Sequence, residues 1–177
     1  TSDMKDKYTR IDHGVEEEDG VKVHRFQSVG TVATREMKIF VTPTIIPSLK
    51  KEARSFDIIH IHEYRSFQSI VVHHYAKKYG VPYVLQAHGS LPRIMAWQGL
   101  KWVYDVLFGY RLLRDAAKVI ALSRVEAEQY RGMGVPDEKI EVIPNGIDLS
   151  EYADLPPKGA FKKKFNILES KKIILYL

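Results

Sequence analysis

Three histidines and two glycine-containing turns carry most of the chemistry open to this sequence. In Asp57-Ile58-Ile59-His60-Ile61-His62 the imidazoles alternate with isoleucines, so in a strand both fall on one face, with Glu63 directly after them. His88-Gly89-Ser90 follows Tyr83-Val84-Leu85-Gln86-Ala87. Ser123 follows Lys118-Val119-Ile120-Ala121-Leu122, and Asn145-Gly146-Ile147-Asp148 follows Ile140-Glu141-Val142-Ile143-Pro144. Imidazoles, hydroxyls, an amide and backbone N–H groups bared by glycine suit a polyhydroxylated, phosphate-bearing ligand. The same imidazoles admit a second reading. His60, His62 and His88, with Glu63, have the donor types of a metal site, as in hydrolases with His-x-His after a strand. Asn145-Gly146 alone also reads as a tight turn, and Ser123, with Glu126 three residues on, has the capping-box spacing of a helix start.

Each of these groups ends a β-rich apolar run, and helical spacing separates the runs over Ser66–Tyr79, Arg93–Arg114 and Arg124–Met133. Strands alternating with helices predict an α/β domain, a Rossmann-like doubly wound parallel sheet covered on both faces. In such sheets ligands bind outside the carboxyl ends of the strands, where the polar groups lie. Gly80-Val81-Pro82 and Gly132-Met133-Gly134-Val135-Pro136 supply helix stops. Upstream, Glu18-Asp19-Gly20 reads as a turn into an edge strand, Val21–Gln27, and Pro43 and Pro47 break a helix between Thr31 and Ser55. The domain is drawn over residues 1–150. Over 151–177, Leu155-Pro156-Pro157-Lys158-Gly159 is a linker, after which a basic helix, Phe161–Phe165, and a strand, Lys172–Leu177, open a second domain.

Composition narrows the classes. With 177 residues and 45% hydrophobic content the chain builds a real core, and a formal charge of +5 favours anionic partners. It has no cysteine, no apolar run of the roughly eighteen residues a spanning helix needs, and a polar start, Thr1–Lys7. The expectation is a cytoplasmic protein. His73-His74, in mid-helix, cannot both face one site and read as surface or helix-packing residues. The stretch Arg93–Arg114 mixes Trp97, Trp102, Tyr104, Phe108 and Tyr110 with Lys101, Arg111 and Arg114. Core packing with a solvated charged face is the favoured reading, and peripheral contact with the inner face of a membrane is the alternative. Lys162-Lys163-Lys164 reads as a solvated face, and no stacking motif points to nucleic acid.

Taken in order, Asp57–His62, Gln86-Ala87-His88-Gly89-Ser90, Lys118–Ser123 and Ile143-Pro144-Asn145-Gly146-Ile147-Asp148 resemble glycosyltransferase family 4, from about Val21 to Leu177. The resemblance implies the N-terminal, acceptor-binding half of a GT-B fold, whose C-terminal half binds a nucleotide-sugar. It implies a retaining transfer to a saccharide or lipid-linked acceptor, with the nucleotide-sugar as co-substrate and no metal, cofactor or enzyme nucleophile. His88 matches the family's histidine beside the donor sugar and is the expected catalytic residue. Gly89, Ser90 and Arg93 are expected to approach sugar or phosphate, Asn145 and Gly146 to lie at the domain junction, and His62 and Glu63 to line the acceptor side. The family's opening strand, glycine-rich turn, helix and second strand do not precede Thr1, and its donor-binding residues fall beyond Leu177. The chain therefore reads as a fragment, inactive alone, in which Val21–Gln27 lacks a neighbour, so that the fragment either rearranges or pairs an exposed strand with another copy. A metal-dependent hydrolase on His60, His62 and His88, and a noncatalytic carbohydrate- or nucleic-acid-binding module, are the competing functions.

Overall fold

The computed structural model describes residues 14–29, 41–94 and 97–174, and the chain divides into two compact units after Pro144. The first unit opens with a hairpin, β1 (Gly14–Glu18) and β2 (Val21–Arg25), paired antiparallel. Asp19 and Gly20 turn it with φ of 50° and 77°, residue types that take left-handed backbone at low cost. The expectation that Val21–Gln27 lacks a neighbour is thereby corrected: the strand pairs with the segment just before it. Helix α1 (Ile45–Glu52) carries Pro47 in its first turn, where the missing N–H is harmless, and tightens into a 3-10 turn at Ala53–Ser55. Residues 31–40 of the expected broken helix lie outside the described residues.

The four apolar runs form one parallel sheet whose strands neighbour one another in chain order, β3 (Ile59–His62), β4 (Tyr83–Gln86), β5 (Lys118–Ala121) and β6 (Ile140–Val142). Between them run α2 (Phe67–Tyr79), α3 (Gln98–Tyr104), a π-helical turn (Asp105–Gly109), α4 (Tyr110–Asp115) and α5 (Arg124–Gly132). Local chemistry sets the ends of α2. Ser66 caps it by accepting from the Ser69 N–H, and Gly80 closes it at φ 68°.

Register then divides the side chains between two faces. Ile61, Leu85, Val119 and Ile140 form one row, and with Tyr83 and Ala121 they pack on Ala76 of α2, Leu112 and Leu113 of α4, and Ala127 and Tyr130 of α5. Each large apolar side chain fully buried there contributes about 1.5–3 kcal/mol. The next row, His62, Gln86, Ile120 and Glu141, points away from that core, with His60 on the same side. The Ile-His-Ile-His alternation of β3 is thus the signature of a strand with one face turned from the core. α1 packs on α2 rather than on the sheet, through Leu49, Val71 and Tyr75.

The single helix expected over Arg93–Arg114 is not found. Helix begins at Gln98 and is interrupted by the π turn, in which a Cβ at Gly109 would collide with the Tyr64 hydroxyl. Core packing holds only in part: Asp105, Gly109, Leu112 and Leu113 are buried, whereas α3 buries nothing and Leu100, Trp102, Val103, Val106 and Leu107 are exposed. The second unit holds a 3-10 turn (Leu149–Tyr152), capped by the Asp148 carboxylate, and a short helix, α6 (Ala160–Lys164). The strand expected from Lys172 is absent over residues 172–174, and 175–177 lie outside the described residues.

Candidate active site

Parallel pairing sets His62 opposite Gln86, so the chain leaving β4 passes beside the end of β3 and brings His88 onto His62. His62 Nδ1 and His88 Nε2 lie 2.8 Å apart, with the rings stacked at 5.1 Å, and the His60 ring lies 4.1 Å from that of His62. One imidazole donates and the other accepts, so the two tautomers are coupled. These two nitrogens serve each other instead of converging on a cation. Among the described residues no group of three or more His, Cys, Asp or Glu is placed to hold a metal ion. Burial, then the neighbouring His60 and His88, pushes the pKa of His62 below its ordinary value.

Past β4 the backbone turns sharply, with His88 at φ 53° and Gly89 at φ 76°. Three side chains from two other segments hold the turn. The Ala87 N–H donates to the Tyr130 hydroxyl at 2.9 Å and the Gly89 N–H to Glu126 Oε1 at 2.6 Å, both acceptors being on α5. Arg65, just past β3, donates to the carbonyls of Ser90 and, at 2.7 Å, Leu91. Its guanidinium is itself fixed by two bonds, 2.9 and 2.8 Å, to the carboxylate of fully buried Asp105. Burial first, and Asp105 next, raises the Tyr64 phenol well above the usual tyrosine range.

Three of the expected site residues have partners within the fold in this geometry. The Gly89 N–H is bound by Glu126. The Ser90 hydroxyl donates to the Ala87 carbonyl at 2.5 Å, and no helix starts there for an anion to approach. Arg93 lies 3.5 Å from Asp105, inside the same ionic cluster, and is not a free charge. Glu63 is exposed, with φ 76° and its N–H on the Gln86 carbonyl at 3.0 Å. Asn145 and Gly146 belong to the second unit, where residues 145–148 carry no turn, so the tight-turn reading is corrected. His73 bonds Asp115 at 3.0 Å, a packing role.

The sequence reading missed Arg65, Asp105, Glu126 and Tyr130. Ser123 does cap α5, accepting from the Glu126 N–H at 3.2 Å, but the Glu126 carboxylate departs from the capping box and binds the N–H groups of Gly89 and Leu122. The spacing was a signal for the helix, not for a partner 37 residues away.

A parallel α/β sheet with its polar loops gathered past the carboxyl ends defines a Rossmann-like ligand-binding unit. Residues 8–151 match Glycosyltransferase Family 4, and the chain belongs to that family. Among solved structures it is similar to HepE of Anabaena in complex with UDP (19% identity, TM-score 0.48, 71% of this chain and 33% of that one). It is similar also to HepE with UDP-glucose (19%, 0.46, 71% and 33%) and with UDP and glucose (18%, 0.48, 80% and 36%). The chain thus spans about a third of the length of these proteins. Comparison with curated proteins gives no match.

Because the folded state binds a proton at His62 less readily than the unfolded chain, stability falls as the pH drops through the ordinary value of 6.5. Asp115, held low by Arg114, His73 and Lys77 against the opposing effect of burial, loses its contribution only below 3.8, in a separate window. Thermal melts of wild type and His62→Gln across the mildly acid range are expected to diverge, with wild type losing more; parallel curves would contradict the assignment.

Proposed function

We propose that this chain is the acceptor-side half of a retaining glycosyltransferase that moves a sugar from a nucleotide-sugar to a saccharide or lipid-linked acceptor. The observation that carries the reading is the position of His88: in a family 4 chain, it stands exposed past the carboxyl end of β4 and is hydrogen-bonded to His62. Residues 1–150 form the acceptor side in this proposal, and 151–177 the linker and first elements of the donor-binding half.

In the proposed reaction the bond from the sugar's anomeric carbon to the nucleoside diphosphate breaks, and the acceptor oxygen bonds that carbon on the same face. The departing phosphate takes the acceptor's proton, so the step requires neither metal, cofactor nor enzyme nucleophile. His88 hydrogen-bonds the donor sugar through imidazole or backbone and stabilises the charge developing there. His62 holds His88 in one tautomer and, with Glu63, lines the acceptor side. Asn145 and Gly146 meet the donor at the junction, while Gly89, Ser90 and Arg93 act by shaping the loop. The test is a screen of the intact enzyme with UDP-, GDP- and ADP-sugars, detecting released nucleoside diphosphate. His88→Ala is expected to lower release by about one to three orders of magnitude, the scale of losing a placed electrostatic group; no release from any donor would sink the reading.

A second observation favours contact with a membrane surface on the cytoplasmic side. Among the described residues no helix is long and apolar enough to cross a membrane. The exposed apolar side chains Leu100, Trp102, Val103, Val106 and Leu107 are nevertheless interspersed with Lys101, Arg111 and Arg114, the composition of a face that lies on anionic lipid. Co-sedimentation with phosphatidylglycerol vesicles is expected, and Arg111→Glu should weaken it about fivefold or more. Equal binding to neutral phosphatidylcholine vesicles, or none to either, would contradict it.

A further inference from the structure

We infer that Glu126 is a positioning residue for His88, an inference that rests on the reading of His88 given above. Left-handed backbone at a histidine is not self-sustaining, because its Cβ crowds the neighbouring carbonyl. The bend at His88 and Gly89 therefore depends on the groups that bind it. Tyr130 holds its near side at Ala87, and Arg65 holds its far side at Ser90 and Leu91. Between those points the Gly89 N–H, one peptide beyond the His88 Cα, is bound by Glu126.

Glu126 differs from the other tethers in what its two oxygens do. Oε1 accepts from Gly89, past the end of β4, at 2.6 Å, and Oε2 accepts from Leu122, past the end of β5, also at 2.6 Å. One carboxylate, 4% exposed, thus ties together the loops that leave two neighbouring strands. A residue whose only task was to start α5 would turn its side chain back to the Ser123 N–H. Here the cap is made by the backbone of Glu126, whose N–H donates to Ser123 Oγ, so helix capping and loop tethering are separable at this one residue.

That separation makes the inference testable. In Glu126→Gln the cap remains, but an amide offers one acceptor oxygen and one N–H2 group where two N–H donors need two acceptors. One tether is lost, and a donor faces a donor. In the intact enzyme, Glu126→Gln is expected to speed hydrogen exchange at the Gly89 amide and to change the imidazole 15N resonances of the coupled His62–His88 pair. It should also lower kcat by about 100-fold with donor KM unchanged, as for a group misplaced by about an ångström. Tyr130→Phe, which removes the Ala87 tether while keeping the ring in the core, is the companion variant and is read the same way if Glu126→Gln fails to fold. Unchanged exchange and imidazole resonances would overturn the inference, as would a loosened loop that leaves kcat intact while His88→Ala abolishes it. If the loop loosens and neither that variant nor His88→Ala alters transfer, the tether stands and the functional reading of His88 falls.

Discussion

His88 stands in left-handed backbone, a conformation that costs a non-glycine residue about 1–3 kcal/mol, and the architecture around it is arranged to hold it there. The hydrophobic core brings the helices close enough. Ala127 and Tyr130 of α5 and Leu112 and Leu113 of α4 share one apolar cluster with Leu85 of β4 and Val119 of β5. The polar tethers then act from that fixed frame. Asp105 is fully buried, and its carboxylate is tolerable only because Arg65 meets both oxygens, with Arg93 close by. Removing one partner of such a pair costs about 3–5 kcal/mol, mainly through the charge left behind. The ion pair makes Arg65 rigid, and rigid Arg65 fixes the carbonyls just beyond the His88 bend.

Much of the frame was legible in the sequence because it rests on local chemistry. Apolar runs of β-branched residues became the parallel strands, Gly80 ended a helix in left-handed backbone, and Ser123 capped the next one. What was not legible depends on partners far apart in the chain. Helical periodicity continues back to Arg93, but residues 93 and 94 are not helical, and the nearby carbonyls of Ser90 and Leu91 are held by Arg65, whose partner Asp105 lies 40 residues away with no periodicity to connect them. Ser90 and Gly89 looked available to a ligand by residue type, yet Ala87 and Glu126 take their donors. Two turn residues, Asp19-Gly20, were read correctly as a turn, while the strand before them was overlooked because Gly14-Val15-Glu16-Glu17-Glu18 has little apolar content.

The division of the sheet into two faces links this packing to chemistry. In β3, β4 and β5 one row packs into the core, and in β3 the other row is His60 and His62. The carboxyl edge accordingly collects imidazoles that are exposed to solvent yet held in register by a parallel ladder. The coupling of His62 to His88 means that neither ring is an independent group. Its geometry is set by β3 on one side and by the tethered bend on the other. For a member of Glycosyltransferase Family 4, the chemistry proposed above asks two things of that edge: an oriented imidazole and a backbone held in place beside the donor.

The central claim, that the tethered bend at His88 meets the donor sugar, is tested most directly by an experimental structure of the intact enzyme with an unreactive nucleotide-sugar analogue bound. The account predicts the sugar ring at about 3 Å hydrogen-bond reach of the His88 imidazole or backbone, with the Gly89 N–H still on Glu126. A sugar seated away from this loop, or a loop that has exchanged its Glu126 bond for the ligand, would contradict it.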